Sequence, residues 1–104
     1  MIIEFNNDDL YKYYIGNFKG KPHYPTIIQN QFRKVVALFQ TANSFSEIKK
    51  INSLRIHPLK KELSGYYAAR VNDQYRMIFE LRTEEGSEEE IVEIIVIEDL
   101  TDYH

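Results

Sequence analysis

The sequence has no cysteine and no tryptophan, and only three prolines and four glycines in 104 residues. Lacking cysteine, it forms no disulfide and does no thiolate chemistry, and a reducing cytosol is the expected home. No apolar stretch approaches the roughly 20 residues needed to cross a bilayer, so no membrane association is expected. The first residues, MIIEFNNDDLYKYY, lack the basic segment and long apolar run of a secretory signal. The four glycines are scattered at 16, 20, 65 and 86, which leaves no glycine-rich phosphate loop. There is also no Gly-x-Ser-x-Gly elbow for a Ser–His–Asp hydrolase.

What is present suits a single domain spanning residues 1–104, since that length builds one modest core but not two. The aromatic residues are eight Tyr and six Phe, and tyrosine combines a stacking face with a polar tip at half-buried positions. A net charge of −3 conceals a polarised distribution. Residues 1–82 hold all 13 Lys and Arg and seven acids, net +6, whereas residues 83–104 hold the other nine acids, net −9. A basic body can therefore grip a polyanion while the acidic end points elsewhere.

Along the chain, MIIEF is short, apolar and β-compatible. In NNDDLYKYYI, Asn7 offers a helix N-cap, acids occupy the first turn, and Gly16 is a stop. GNFKGKPHYP reads as a loop. From Pro25, Ile28, Phe32, Val35, Val36 and Phe39 recur at three- and four-residue spacing, which predicts an amphipathic helix. Ser44 and Glu47 form a capping box for a short helix or turn. The pattern then becomes that of strands. GYYAARV and QYRMIFELR flank Asn72-Asp73, which predicts a two-residue hairpin turn. In the second of these, Tyr75, Met77, Phe79 and Leu81 share one face, and Arg76, Ile78, Glu80 and Arg82 the other. EIVEIIVIEDL predicts a third, central strand that anchors the backbone to about Leu100. The expected fold class is α+β, with two N-terminal helices packed on a small, mainly antiparallel β-sheet. The acidic residues 84–90 read as a solvated hairpin tip, with a partner-facing element as the alternative.

The chemistry-bearing residues cluster by type. Of the three histidines, His23 reads as loop surface. His57 precedes Pro58, which holds it extended, and Lys60 and Lys61 follow closely. A two-residue turn would set Val71 against Gln74, Arg70 against Tyr75 and Ala69 against Arg76, so that Arg70 and Arg76 are near-diagonal neighbours, with the turn geometry deciding whether they share a face. Imidazoles, fixed cations and a tyrosine suit RNA cleavage by its own 2′-hydroxyl, which needs a base, an acid and cations for the phosphorane. The reaction needs no metal, and His57 with His104 is a poor metal-ligand set. Each feature also has a plain reading. A histidine before proline can be structural, strand arginines can pair with Glu62 or Glu80, and a closing Tyr-His can be tail. The residues taken singly leave both open.

Taken together, LRIHPLKKELSGYYAARVNDQYRMIFEL and the closing DYH resemble the HigB-type toxins of the RelE/ParE toxin–antitoxin superfamily. The matching positions are Leu54, His57, Pro58, Leu59 and Lys60; Gly65, Tyr66 and Tyr67; Val71, Asn72, Tyr75, Arg76, Ile78 and Phe79; and Asp102, Tyr103 and His104. They cover about half of the chain. The resemblance implies a RelE-like fold and a small mRNA endonuclease, an mRNA interferase that inhibits translation by acting on translated message in the ribosomal 30S A site. It implies a cognate HigA-like helix-turn-helix antitoxin, operator DNA met only through that antitoxin, and no cofactor or metal. It places catalytic residues at His57, Lys60, Tyr103 and His104, and RNA or phosphate contacts at Arg70, Arg76 and Lys61. Two departures stand out. The usual Lys-Gly is Lys60-Lys61 here, which predicts a stiffer and more basic loop, and Tyr67 or Tyr75 replaces a frequent tryptophan.

The same fold also serves ParE-like gyrase inhibitors, and a degenerate copy would be a non-catalytic antitoxin-binding module. The set His57, Lys60, Tyr103 and His104 favours the nuclease, because a gyrase binder has no need of it.

Overall fold

Asn7 starts the first helix because its side chain accepts the N–H of Leu10 (3.2 Å), which the first turn cannot satisfy internally. Helix α1 (Asp8–Ile15) carries Asp8 and Asp9 in that turn and stops at Gly16, whose φ of 71° is left-handed backbone. Helix α2 (Thr26–Thr41) buries Ile28, Phe32, Val35, Val36 and Phe39, the stripe that the spacing predicts. Helix α3 (Phe45–Lys49) is capped by Ser44, which accepts the N–H of Glu47 at 3.2 Å. The returning half of the box differs from expectation: the Glu47 carboxylate takes the N–H of Asn43 (2.9 Å) instead of that of Ser44.

The computed structural model describes residues 1–102; Tyr103 and His104 lie outside the described residues. Five strands, β1 (Ile2–Phe5), β2 (His57–Pro58), β3 (Tyr66–Arg70), β4 (Tyr75–Glu85) and β5 (Ile91–Asp102), form one sheet in the order β1-β5-β4-β3-β2. Only β1 and β5 run parallel, so the sheet is mainly antiparallel, as the sequence predicts. Strand β5 takes the interior place foreseen for it and runs on to Asp102, past Leu100. Among the described residues, no helix is long and apolar enough to cross a membrane.

The helices cover one face of the sheet. Phe79 is fully buried there, edge-on to Phe39 at 5.1 Å and stacked on Tyr67 at 5.6 Å. Met77 joins it in the core, with Tyr75 and Leu81 packed against the margin. Residues alternate along β5 until the register slips between Ile78 and Phe79, which leaves Glu98 without a partner on β4. This bulge is why Ile95, Ile97 and Leu100 all enter the core although their numbering changes parity. Ala68 and Ile78 are buried on the opposite face, outside that core.

The β3–β4 turn corrects the sequence reading. Arg70 lies opposite Arg76 and Ala69 opposite Met77, so the loop has three residues, 72 to 74, where two are expected. The Asn72 side chain explains the extra residue, because its Oδ1 accepts the N–H groups of both Gln74 (2.8 Å) and Tyr75 (2.7 Å). Val71 N–H then closes onto Tyr75 O at 3.0 Å. The arginines are consequently direct partners on one face and not diagonal neighbours.

At the other hairpin, Glu84 and Glu85 belong to β4, and the turn proper is confined to residues 86–90. Ser87, Glu88, Glu89 and Glu90 are exposed there, as a solvated tip requires.

Candidate active site

Pro58 disfavours helix at His57, and the pair instead forms the short edge strand β2, with His57 opposite Ala68 and Pro58 opposite Tyr67. The N–H of Leu59 continues the ladder to Tyr66 O at 2.9 Å. The exposed His57 ring places Nδ1 2.9 Å from the carbonyl oxygen of Arg55. A carbonyl only accepts, so Nδ1 is the donor in this contact and Nε2 takes no part in it. Lys60 and Lys61 leave β2 exposed to solvent. Lys61 sits at φ 58°, backbone that favours glycine, at the position where the resemblance expects one.

Strand register gathers three of the predicted residues. Ala68, opposite His57, and Arg70 are two apart on β3 and so share a face, and Arg76 stands opposite Arg70. This is the face that the helices leave uncovered. Arg70 donates to Asp73 Oδ1 at 2.5 Å, and that hydrogen bond with its charge holds the Asp73 carboxyl below the usual range. Asp73, and not the anticipated Glu62 or Glu80, is thus the acid bound to Arg70. Arg76 is 9% exposed and donates to the carbonyl oxygens of Asn72 (2.6 Å) and Tyr75 (3.1 Å). Tyr103 and His104 are outside the described residues, and the strand leading to them is in register to the end, with Thr101 opposite Arg76 and Asp102 opposite Tyr75. Gln74 Nε2 also donates to Asp102 Oδ2 at 3.0 Å.

A groove of about 390 Å³ opens on the same face, lined by Leu63, Tyr66, Ile78 and Thr101 together with Glu62, Glu98 and Asp99. The larger cavity of about 560 Å³ lies by β1 and α1, among Phe5, Tyr11, Tyr14 and Gln40. Its lining includes the carboxylates of Glu4 and Asp8 but no histidine, lysine or arginine side chain. Among the described residues, no group of three or more His, Asp or Glu side chains is placed to hold a metal.

Three residues shape this site through contacts that sequence inspection does not supply, although it names Asn72 and Asp73 as the turn. Asp73 restrains Arg70, Asn72 sets the turn, and Tyr24 donates its hydroxyl to Leu100 O at 2.7 Å. Burial, and secondarily the negative charge of Asp99, pushes the Tyr24 hydroxyl up to about 12 from its ordinary value near 10, so it remains a donor at neutral pH. An Asn at the start of a turn signals Asn72's role in advance; nothing local links Tyr24 to a strand 76 residues away.

Known proteins share this fold. The family model for the RelE-like toxin HigB of type II toxin–antitoxin systems matches residues 3–104. YafQ from E. coli strain BL21(DE3) superimposes with a TM-score of 0.59 at 16% identity, over 96% of this chain and 90% of that one. A YoeB/ParE toxin from Agrobacterium tumefaciens does so at 0.56 and 12% identity over the whole of both chains. The YoeB–YefM complex from Staphylococcus aureus gives 0.53 and 18% identity, over 100% of this chain and 97% of that one. No curated protein sequence matches significantly. The structural likenesses speak for a shared RelE-like fold, and the family match over nearly the full length decides membership: the chain belongs to the HigB-like family of RelE-like type II toxins.

Proposed function

We propose that this toxin is a metal-independent mRNA endoribonuclease that acts on translated message in the ribosomal A site and so inhibits translation. The observation that carries the reading is the shared helix-free face: β-sheet register gathers His57, Arg70 and Arg76 there, beside the loop that bears Lys60 and Lys61. Such a face offers what strand scission by the 2′-hydroxyl requires. A base removes the 2′ proton, the 2′-oxygen bonds to phosphorus, and the P–O5′ bond breaks as an acid protonates the leaving oxygen. The products are a 2′,3′-cyclic phosphate and a 5′-hydroxyl. His57, through Nε2, and His104 share the two proton transfers. Lys60 neutralises the phosphorane, Tyr103 orients the base or the scissile phosphate, and Arg70, Arg76 and Lys61 hold the RNA backbone. The partner that silences it is a HigA-like helix-turn-helix antitoxin, through which alone operator DNA is met, and the site of action is the cytoplasm.

Primer extension on cellular messages, run beside growth curves, tests this directly. Wild-type toxin arrests growth and leaves discrete mRNA cleavages, whereas His57→Ala, Lys60→Ala and His104→Ala lose both. Intact cleavage in both Lys60→Ala and His104→Ala would sink the site assignment. Inhibition of gyrase supercoiling without RNA cleavage would replace it with a ParE-like activity.

A further inference from the structure

Strand β1 ends at Phe5, opposite Ile97, so the outer edge of β5 from Glu98 onward has no strand beside it. Backbone groups along that edge need other partners. Asn6 supplies its N–H to Ile97 O (2.8 Å), and Asn7 Nδ2 donates to Glu98 O (3.4 Å). Further along this edge the Tyr24 hydroxyl donates to Leu100 O, two residues before Asp102. The Tyr24 ring is itself held from two sides, edge-on to Tyr13 at 5.5 Å and to Tyr75 at 5.7 Å. Its carbonyl accepts from Gln29 Nε2 at 2.8 Å, and Pro25 fixes the backbone just after it.

We infer that Tyr24 is a positioning residue for cleavage, its hydroxyl standing in for the missing neighbour strand and fixing the end of β5 that leads to Tyr103 and His104. This rests on the reading that those two residues act on RNA. Without the hydroxyl, Leu100 O loses this partner and the end of β5 loses one of its restraints. Each strand residue advances about 3.3 Å, so a small pivot at Leu100 grows along Thr101 and Asp102. A displacement of about 1 Å at a reacting group costs up to about a hundredfold in rate.

The test compares Tyr24→Phe, Tyr14→Phe and His104→Ala on one RNA substrate, with rates per folded molecule taken from each variant's unfolding curve. Tyr14 also spends its hydroxyl on a hydrogen bond, to Gln40 Oε1 at 2.6 Å, but on α1 and away from the end of β5. Tyr24→Phe is expected to lower kcat roughly tenfold to a hundredfold with KM little changed, and Tyr14→Phe to cleave like wild type. Wild-type kcat in Tyr24→Phe beside an inactive His104→Ala would overturn the inference alone. An equal loss in Tyr14→Phe would also overturn it, since any lost tyrosine hydroxyl would then suffice. Full activity in His104→Ala would overturn the underlying site reading and the inference with it.

Discussion

Arg70 faces Arg76 directly across β3 and β4, on the side of the sheet that the helices leave open. Like charges at one cross-strand position oppose pairing. Here the cost is offset within the turn that creates it: Asp73 binds Arg70, and the Asn72 carbonyl binds Arg76. The same turn therefore builds a cationic spot and stabilises it.

Such a spot is expected to bind RNA through phosphate. Arg70→Ala should weaken RNA binding almost equally for all sequences and make its salt dependence shallower, by about one in the log–log slope. Fluorescence anisotropy at several salt concentrations measures both. An unchanged slope would remove Arg70 from the interface.

Asp73 competes with phosphate for Arg70. Its depressed titration means that the pair is intact at neutral pH; its stabilisation is present above the usual aspartate range and is lost as pH falls through the lowered value. Asp73→Asn should accordingly tighten RNA binding at neutral pH, in the same anisotropy assay. The gain should vanish when Arg70 is also replaced by Ala.

Lys61 occupies left-handed backbone at φ 58°. Lys61→Gly should relieve that strain and raise the unfolding free energy by up to about 1 kcal/mol, less the greater freedom glycine has in the unfolded chain. Urea denaturation reads the gain. RNA affinity should fall in the same variant, because a cation has left the loop, so stability and binding are predicted to move in opposite directions.

The Tyr24 hydroxyl is raised to about 12 in the folded protein, from near 10. Between those values the unfolded chain loses this proton first, so the contribution of Tyr24 is complete below about pH 10 and declines as pH rises towards 12. Thermal unfolding followed across that range should show a steeper alkaline loss in wild type than in Tyr24→Phe. Parallel curves would contradict the burial of this hydroxyl.

Phe79 is fully buried between Phe39, Phe45 and Tyr67. Phe79→Ala should cost about 3–5 kcal/mol, measured by denaturation, and a loss below about 1 kcal/mol would mean that the helices do not pack as described.

Local sequence determined most of the elements. Asn7, Gly16 and Ser44 mark helix ends through their own hydrogen bonds or backbone freedom, and the stripe from Ile28 to Phe39 names the buried face of α2. The alternation from Tyr75 to Leu81 likewise names the core face of β4. The motif around His57 and Lys60 was legible as well, because its residues stand close together in the chain. Only tertiary structure decided the rest. One extra residue in the Asn72 turn made Arg70 and Arg76 partners, and the bulge at Glu98 kept Leu100 in the core. Asp73 on Arg70 and Tyr24 on Leu100 follow from where the folded backbone brings distant or unmarked groups. The physical reason is that caps and periodicity are satisfied within one element. Turn geometry, register and edge hydrogen bonds are settled between elements, whether near in sequence, as for Arg70 and Asp73, or far, as for Tyr24 and Leu100.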